Sequence, residues 1–556
     1  MKKFIATAVS ALSLSLCAAN KLPENVLVHV TTASVENLLT QVDKFSSEVV
    51  AGTPYALYVQ PGMMKNMLPI ATGLSASVLD LKRSAHLFLD AEGSAGLFLP
   101  IVDSSKIKEQ AGAKALSKSV FKLLTGQHIA LCKENYIVYA ENESSALKMA
   151  KAFNNCRAQT TKLQLSATVD VPQFYKLVDT NLNEMMKDLD KEARVNPEAS
   201  THLAMIKELI GKSFELVDDI ESATLNLDLK REHARFTGSL EFSESSRLAS
   251  IVNLAQNDKI DYSLSRHFDL SGPFNIAICN NEEVMKAMGK LIVSLFEGSE
   301  DTLGVVKLLN DLLNSSAFNS GTSFMDLTIA HDMKPSYEVI SEVQKPEAFI
   351  KAQAAAMKAQ ASFTTNLYQT MKLPIQLNAT FKPKAGTVDG LPYALSKVSF
   401  EADEENAAML ALFKQQEQPP VAFVKLSSNH VGFVSGSNYE DQLKKLITDY
   451  KAGKSNNEKF IKQTKKLVHN RNIAATISPV RLIKAALTGQ IGKAMMLPAA
   501  LTAQIDAVKG NETILVGVDT SENKITEEVV ISSAAIKEGI EAIMKIQMMM
   551  MQEQMK

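Results

Sequence analysis

The sequence predicts an α+β fold, a tandem duplication of antiparallel sheet-and-helix halves built from recurring strand-helix and hairpin units. Three observations predict it. Four segments share an alternating apolar strand, a small polar residue and an amphipathic helix start that carries a lysine: Tyr55–Lys65, Leu165–Lys176, Phe274–Lys286 and Ile473–Lys484. Each is followed, after a helical stretch, by a hairpin of alternating apolar positions, the pattern of antiparallel strands with one face on a core. The hairpins are too numerous for a doubly wound parallel sheet, and a repeated supersecondary unit marks duplication.

Taken in order, the first half (20–262) begins with an extra strand, Val26–Val30, after which Ser34 caps a helix with Val35, Leu38, Leu39, Val42 and Phe45 at core spacing. Tyr55–Val59 is its first repeated strand. Hairpins follow at His86–Asp90 with Leu97–Leu99, at Ile129–Cys132 with Tyr136–Ala140, and, after the strand Leu165–Val169, at Ala223–Leu229 with Phe236–Phe242. The second half (263–556) restates the order with strands at Phe274–Ile278 and Ile473–Ile477. Its hairpins are Met325–Ile329 with Tyr337–Val343, Val421–Val424 with His430–Val434, and Thr513–Val518 with Ile525–Ile531. One more hairpin near 374–401, Ile375–Phe381 with Tyr393–Phe400 around a Lys-Pro-Lys loop, has no evident counterpart in the first half.

Helix starts are signalled by Ser104-Ser105, Ser245-Ser246, Pro346 and Ser532-Ser533 after hairpins, and by Asp170, Asn280 and Ser478 after the repeated strands. Short polar side chains there accept from free helix N–H groups, and proline fits the first turn because its missing donor has no partner to lose.

Residues 1–19 have the layout of a signal peptide: Lys2 and Lys3, an apolar run from Phe4 to Leu16, then Cys17-Ala18-Ala19. The expected destination is periplasmic or secreted. A rival reading anchors the chain as a lipoprotein at Cys17, although Leu16 stands where that motif wants a small residue. No later stretch is long and charge-free enough to span a bilayer. At 556 residues the chain holds about three or four domains' worth of material, and 46% apolar with 22% charged residues is ordinary globular composition. A formal net charge of −2 argues against nucleic acid as a partner. Cys132, Cys156 and Cys279 remain after the signal, with a Cys132–Cys156 bridge as one option and three buried thiols as the other.

No chemical signature stands out. The nine histidines lie far apart in sequence, without HExxH, HxH or CxxC, so no metal site, no catalytic residue and no cofactor is assigned. Ser94 lacks the glycine two residues before it that a nucleophile elbow needs, and Ala452–Ser455 ends like a P-loop without its first glycine. Two surfaces qualify as binding candidates. Met63, Met64 and Met67, with Met495 and Met496, sit beside proline-interrupted helices where flexible thioethers suit an apolar ligand, a lipid or a partner helix. Lys459, Lys462, Lys465 and Lys466 fall in the most basic stretch, nine Lys or Arg against two acidic residues from Lys444 to Arg471, suited to a polyanion. A third feature, the stripe Met544, Met548, Met551 and Met555, fits a helix face. The functional expectation is an exported, non-catalytic binding or structural protein of the cell envelope that takes a lipid, another apolar ligand or an envelope protein. The alternative is an exported hydrolase whose catalytic residues are scattered along the chain.

Overall fold

Alternating apolar strands bounded by short turns produce an α+β architecture whose described strand registers are antiparallel throughout. The computed structural model describes residues 22, 26–60, 62–109, 113–123, 125–155, 161–175, 187, 188, 190, 191, 211, 216–295, 308, 310, 311, 319–329, 335–414, 417–453, 458–488, 503, 505, 508 and 510–554. These form two compact units. The first draws on Met1–Lys191, Leu209–Ala249 and Asn523–Lys537, and the second on Glu192–Glu208, Ser250–Glu522 and Glu538–Lys556.

The first unit contains β1 (Val26–Thr31), α1 (Val35–Val50), α2 (Met63–Thr72), β2 (His86–Asp90), β3 (Ala95–Pro100), α3 (Ser105–Glu109), β4 (Lys114–Ala115), β5 (Val120–Lys122), β6 (His128–Cys132), β7 (Tyr136–Ala140), α4 (Glu143–Asn155), β8 (Leu165–Asp170), β9 (Ile220–Leu229) and β10 (His233–Phe242), and the chain leaves it within α5 (Arg247–Leu254). Across the sheet the strands run β4-β5-β6-β7-β3-β2-β1-β8-β9-β10, and the late strand Lys524–Ser532 pairs along β10. Both faces of its middle are covered. Along the fully buried β7, Tyr136, Val138 and Ala140 join Phe88, Phe98 and Phe153, while Ile137 and Tyr139 join Leu74, Ile101 and Phe121 on the other side, as a period of two requires.

The second unit holds β11 (Phe274–Cys279), α6 (Glu282–Leu295), β12 (Asn319–Ile329), β13 (Pro335–Val343), α7 (Pro346–Thr370), β14 (Gln376–Val388), β15 (Leu391–Glu401), α8 (Ala407–Lys414), β16 (Val421–Lys425), β17 (His430–Ser435), α9 (Tyr439–Ala452), α10 (Glu458–Thr464), β18 (Ile473–Ile477), α11 (Pro479–Thr488) and β19 (Ile514–Ser521). Its order is β14-β15-β16-β17-β13-β12-β11-β18-β19. That is the first unit's order with ten added to each strand number. Phe324, Ile340, Val424, Val434, Leu443, Leu446, Ile447 and Phe460 make its main core. The chain then passes to β20 (Lys524–Ser532) and α12 (Ser533–Gln554).

The structure changes three sequence expectations. The first-unit counterpart of β11 is β1, so Val26–Thr31 is the repeated strand and not an extra one. Tyr55–Val59 forms no strand; Pro54–Leu57 is a 3₁₀ turn whose first N–H is taken by the Thr53 hydroxyl. Proline at its start fixes a helical φ, and no neighbouring strand offers Tyr55–Val59 a ladder. The hairpin β14–β15 has a shortened equivalent in β4–β5, since both occupy the same place beside the next strand of their sheets.

Local capping follows the sequence at most helices. Ser34, Asp170, Ser246 and Ser532 accept from backbone N–H groups three residues on. At β11 the cap is Asn281, whose Oδ1 accepts from Glu283 and Val284, because Asn280 is turned to Gly321 and Ser323 on β12. The Ser478 hydroxyl is buried without a hydrogen bond, so α11 starts without its expected side-chain cap.

Candidate functional site

The segment from Thr53 to Thr72 exposes more large apolar side chains than its length warrants. Tyr55, Leu57, Tyr58, Met63, Met64, Met67 and Ile70 all face solvent, Leu57 and Ile70 with 80% of their surface exposed. Single exposed apolar residues need no explanation, but a contiguous group does. The segment is nevertheless held in place. Asp43, buried on α1, accepts from the N–H groups of Gly62 and Met64 and so caps α2 from outside it, an arrangement typically worth about 1 kcal/mol. Gly62 adopts φ 79° and Gly73 φ 69°, which confine α2 between two left-handed residues. Lys65 pairs with Glu36 at 2.6 Å, Leu68 reaches the core, and Thr72 O accepts from the Tyr139 hydroxyl. The methionines are therefore mounted outward on a braced helix, each 39–48% exposed.

The other sequence candidates are spread out. Met495 and Met496 lie outside the described residues, as do Cys156 and Met555. Lys459, Lys462, Lys465 and Lys466 are all exposed, while Phe460, Thr464 and Leu467 turn into the core. Along α12 the inward face is Ala542, Ile546 and Met549, packed on Val480, Val508 and Ile505. Met548 and Met551 stay exposed, so the spacing of the methionine stripe does not mark the packed side. Cys132 and Cys279 are free thiols, pushed up to about 12 and about 11 by burial, which leaves little reactive thiolate.

Sequence separation hid two buried polar groups. In the first unit, β1 and β2 pair with His29 opposite Phe88 and Thr31 opposite His86, which brings the two histidines to one face. His29 Nε2 and His86 Nδ1 are 3.0 Å apart, one donating to the other. Phe88, Tyr136 and Phe153 enclose them, and His86 Nε2 makes no hydrogen bond. Burial lowers His29 to about 4; burial, then His29 and Arg83, lower His86 to about 3. Both are neutral at pH 7 and nearly inaccessible, so they bear on the stability of the unit.

In the second unit, Asp326 of β12 lies opposite Asn275 on β11 and Glu338 on β13. It is 4% exposed and accepts from Gly272 N at 3.0 Å. Lys445 on α9 stands 3.2 Å from Asp269 and 3.1 Å from Glu338. Burial, followed by the charges of Asp269 and Glu338, raises Asp326 to about 7. Only strand register reveals this group; a single Asp between Met325 and Leu327 carries no local signal.

No described helix is long and apolar enough to cross a membrane, and no cluster of three or more His, Cys, Asp or Glu among the described residues has the geometry to hold a metal ion. The braced apolar segment of α2 is accordingly the best candidate for contact with another molecule. No protein-family model, curated protein or solved structure matches this chain.

Proposed function

We propose that this protein is an exported, non-catalytic component of the cell envelope that docks on a lipid surface through Tyr55–Ile70. The observation that carries the reading is the group of seven outward apolar side chains on a segment whose backbone is fixed from behind by Asp43. A bilayer accepts aliphatic side chains without asking for matched hydrogen bonds, and tyrosine rings suit the headgroup level. The chain carries no acidic residue between Glu48 and Asp80, so nothing in that stretch repels an anionic leaflet. An enclosed apolar ligand is less well served, because the methionines face outward. The signal-like residues 1–19 supply the route of export.

Binding of the full chain to phosphatidylethanolamine–phosphatidylglycerol vesicles tests this. Each large side chain inserted into apolar surroundings contributes about 2 kcal/mol. The combined variant Leu57→Ser, Tyr58→Ser and Ile70→Ser is therefore expected to weaken vesicle binding about a hundredfold or more. Its unfolding should be unchanged, since none of the three side chains is buried. Equal affinity of wild type and variant, or no vesicle binding by either, would remove the lipid reading.

A further inference from the structure

We propose that Asp326 is a proton-operated latch for the loop Asp269–Gly272: protonated, it pins the loop to the sheet, and ionised, it releases it. The loop is wound closely around this carboxyl. Leu270 is forced to φ 55°, a left-handed conformation that a leucine adopts at a cost. Gly272 donates to Asp326 Oδ1 and sits so close to β12 that a Cβ there would lie 1.9 Å from that oxygen. Arg481 on α11 clamps the same turn by donating to the carbonyls of Leu270 and Gly272. Such strain persists only where the surroundings hold it.

The charges around Asp326 decide which form is stable. Glu338 faces it from β13, Asp269 from the loop itself and Lys445 from α9, with Asp449 of α9 adding negative charge near Glu338. Lys445 already serves Asp269 and Glu338, and Arg481 is committed to carbonyls. Ionising Asp326 therefore places three carboxylates around one ammonium in a largely dry site. The protonated form also has a use for its hydrogen. Asn275 Oδ1, directly across the strand pair, is buried and accepts no hydrogen bond, while Asn275 Nδ2 is turned to Gly272 O and Thr476. A neutral Asp326 hydroxyl can serve that vacant acceptor across the strand pair while its other oxygen keeps Gly272 N; ionisation removes this hydrogen and leaves the Asn275 Oδ1 facing a carboxylate, with the Gly272 bond retained.

The sign of the effect follows. The folded state holds a proton that the unfolded chain, at an ordinary aspartate pKa, gives up. The latch is closed at low pH and weakens as pH rises from the ordinary aspartate range to about 7, where the loss is complete. Hydrogen exchange of the full chain, read on the peptide covering residues 269–273 and corrected for the intrinsic pH dependence of amides, measures it. In wild type, the opening equilibrium should rise by up to about tenfold per pH unit below the midpoint near pH 7 and level off above it. In Asp326→Asn, which cannot ionise, it should stay flat from pH 5.5 to 8.5. Glu338→Gln removes one opposing charge, so its midpoint should fall to lower pH, and this variant decides the matter if the first does not fold. A pH-independent wild-type peptide, an equally steep response in Asp326→Asn, or an unmoved midpoint in Glu338→Gln would overturn the latch.

Discussion

Acidification from pH 7 to pH 4 is expected to strip several kcal/mol from the first unit, and replacing His29 and His86 together with leucine should abolish most of that loss. Both histidines are nearly inaccessible, at 2% and 1% exposure, and both are held neutral. With folded pKa values below the unfolded value, the native state binds fewer protons than the unfolded chain. The stability they contribute is complete above about pH 6.5 and drains away as pH falls toward about 4. Each pKa unit is about 1.4 kcal/mol, so each histidine contributes on the order of 3 kcal/mol. Leucine at both positions removes donor and acceptor at once, which costs little in an apolar pocket formed by Phe88, Tyr136 and Phe153. Hydrogen exchange on peptides from β1 and β2 at pH 7, 5.5 and 4.5 reads the first unit separately. An acid-induced loss of protection as large in the double variant as in wild type would mean the pair is not the acid-labile element.

Gly272→Ala is expected to destabilise the second unit by about 3 kcal/mol, whereas Gly539→Ala in α12 should stabilise it by up to about 1 kcal/mol. The added methyl at Gly272 meets the Leu327 carbonyl at 2.4 Å as well as Asp326, and Leu327 is held between Phe274 and Tyr337 on the two flanking strands, which resists its moving aside. At Gly539 nothing lies within 4 Å of the new carbon, and a helical alanine loses less backbone entropy on folding. Urea unfolding of both variants against wild type makes the comparison. Equal midpoints for the two alanines would show that backbone crowding at Gly272 is relieved by movement of the loop.

The features legible in the chain were those set within a few residues. Alternation located the hairpins at 86–100, 220–242 and 319–343, and short polar residues located the caps at Ser34, Asp170, Ser246 and Ser532. The same local logic failed at Tyr55–Val59, where an alternating apolar pattern reads as a strand. A pattern shows that side chains differ in polarity; it does not supply a partner strand. At Asn280 and Asn281 two equivalent capping residues stand side by side, and the choice went to the second because the first had a better partner on β12.

The sequence by itself determined the α+β class, the antiparallel hairpins and the repetition of strand-helix units, because each depends on periodicity or on contacts a few residues apart. The tertiary structure alone decided the rest. Strand register put His29 beside His86 across 57 positions, and Asp326 between Asn275 and Glu338. Packing left Met63, Met64 and Met67 outside and took Met549 inward. Burial and charge at these places come from neighbours distant in the chain, and their free energies exist only once the sheet has brought them together.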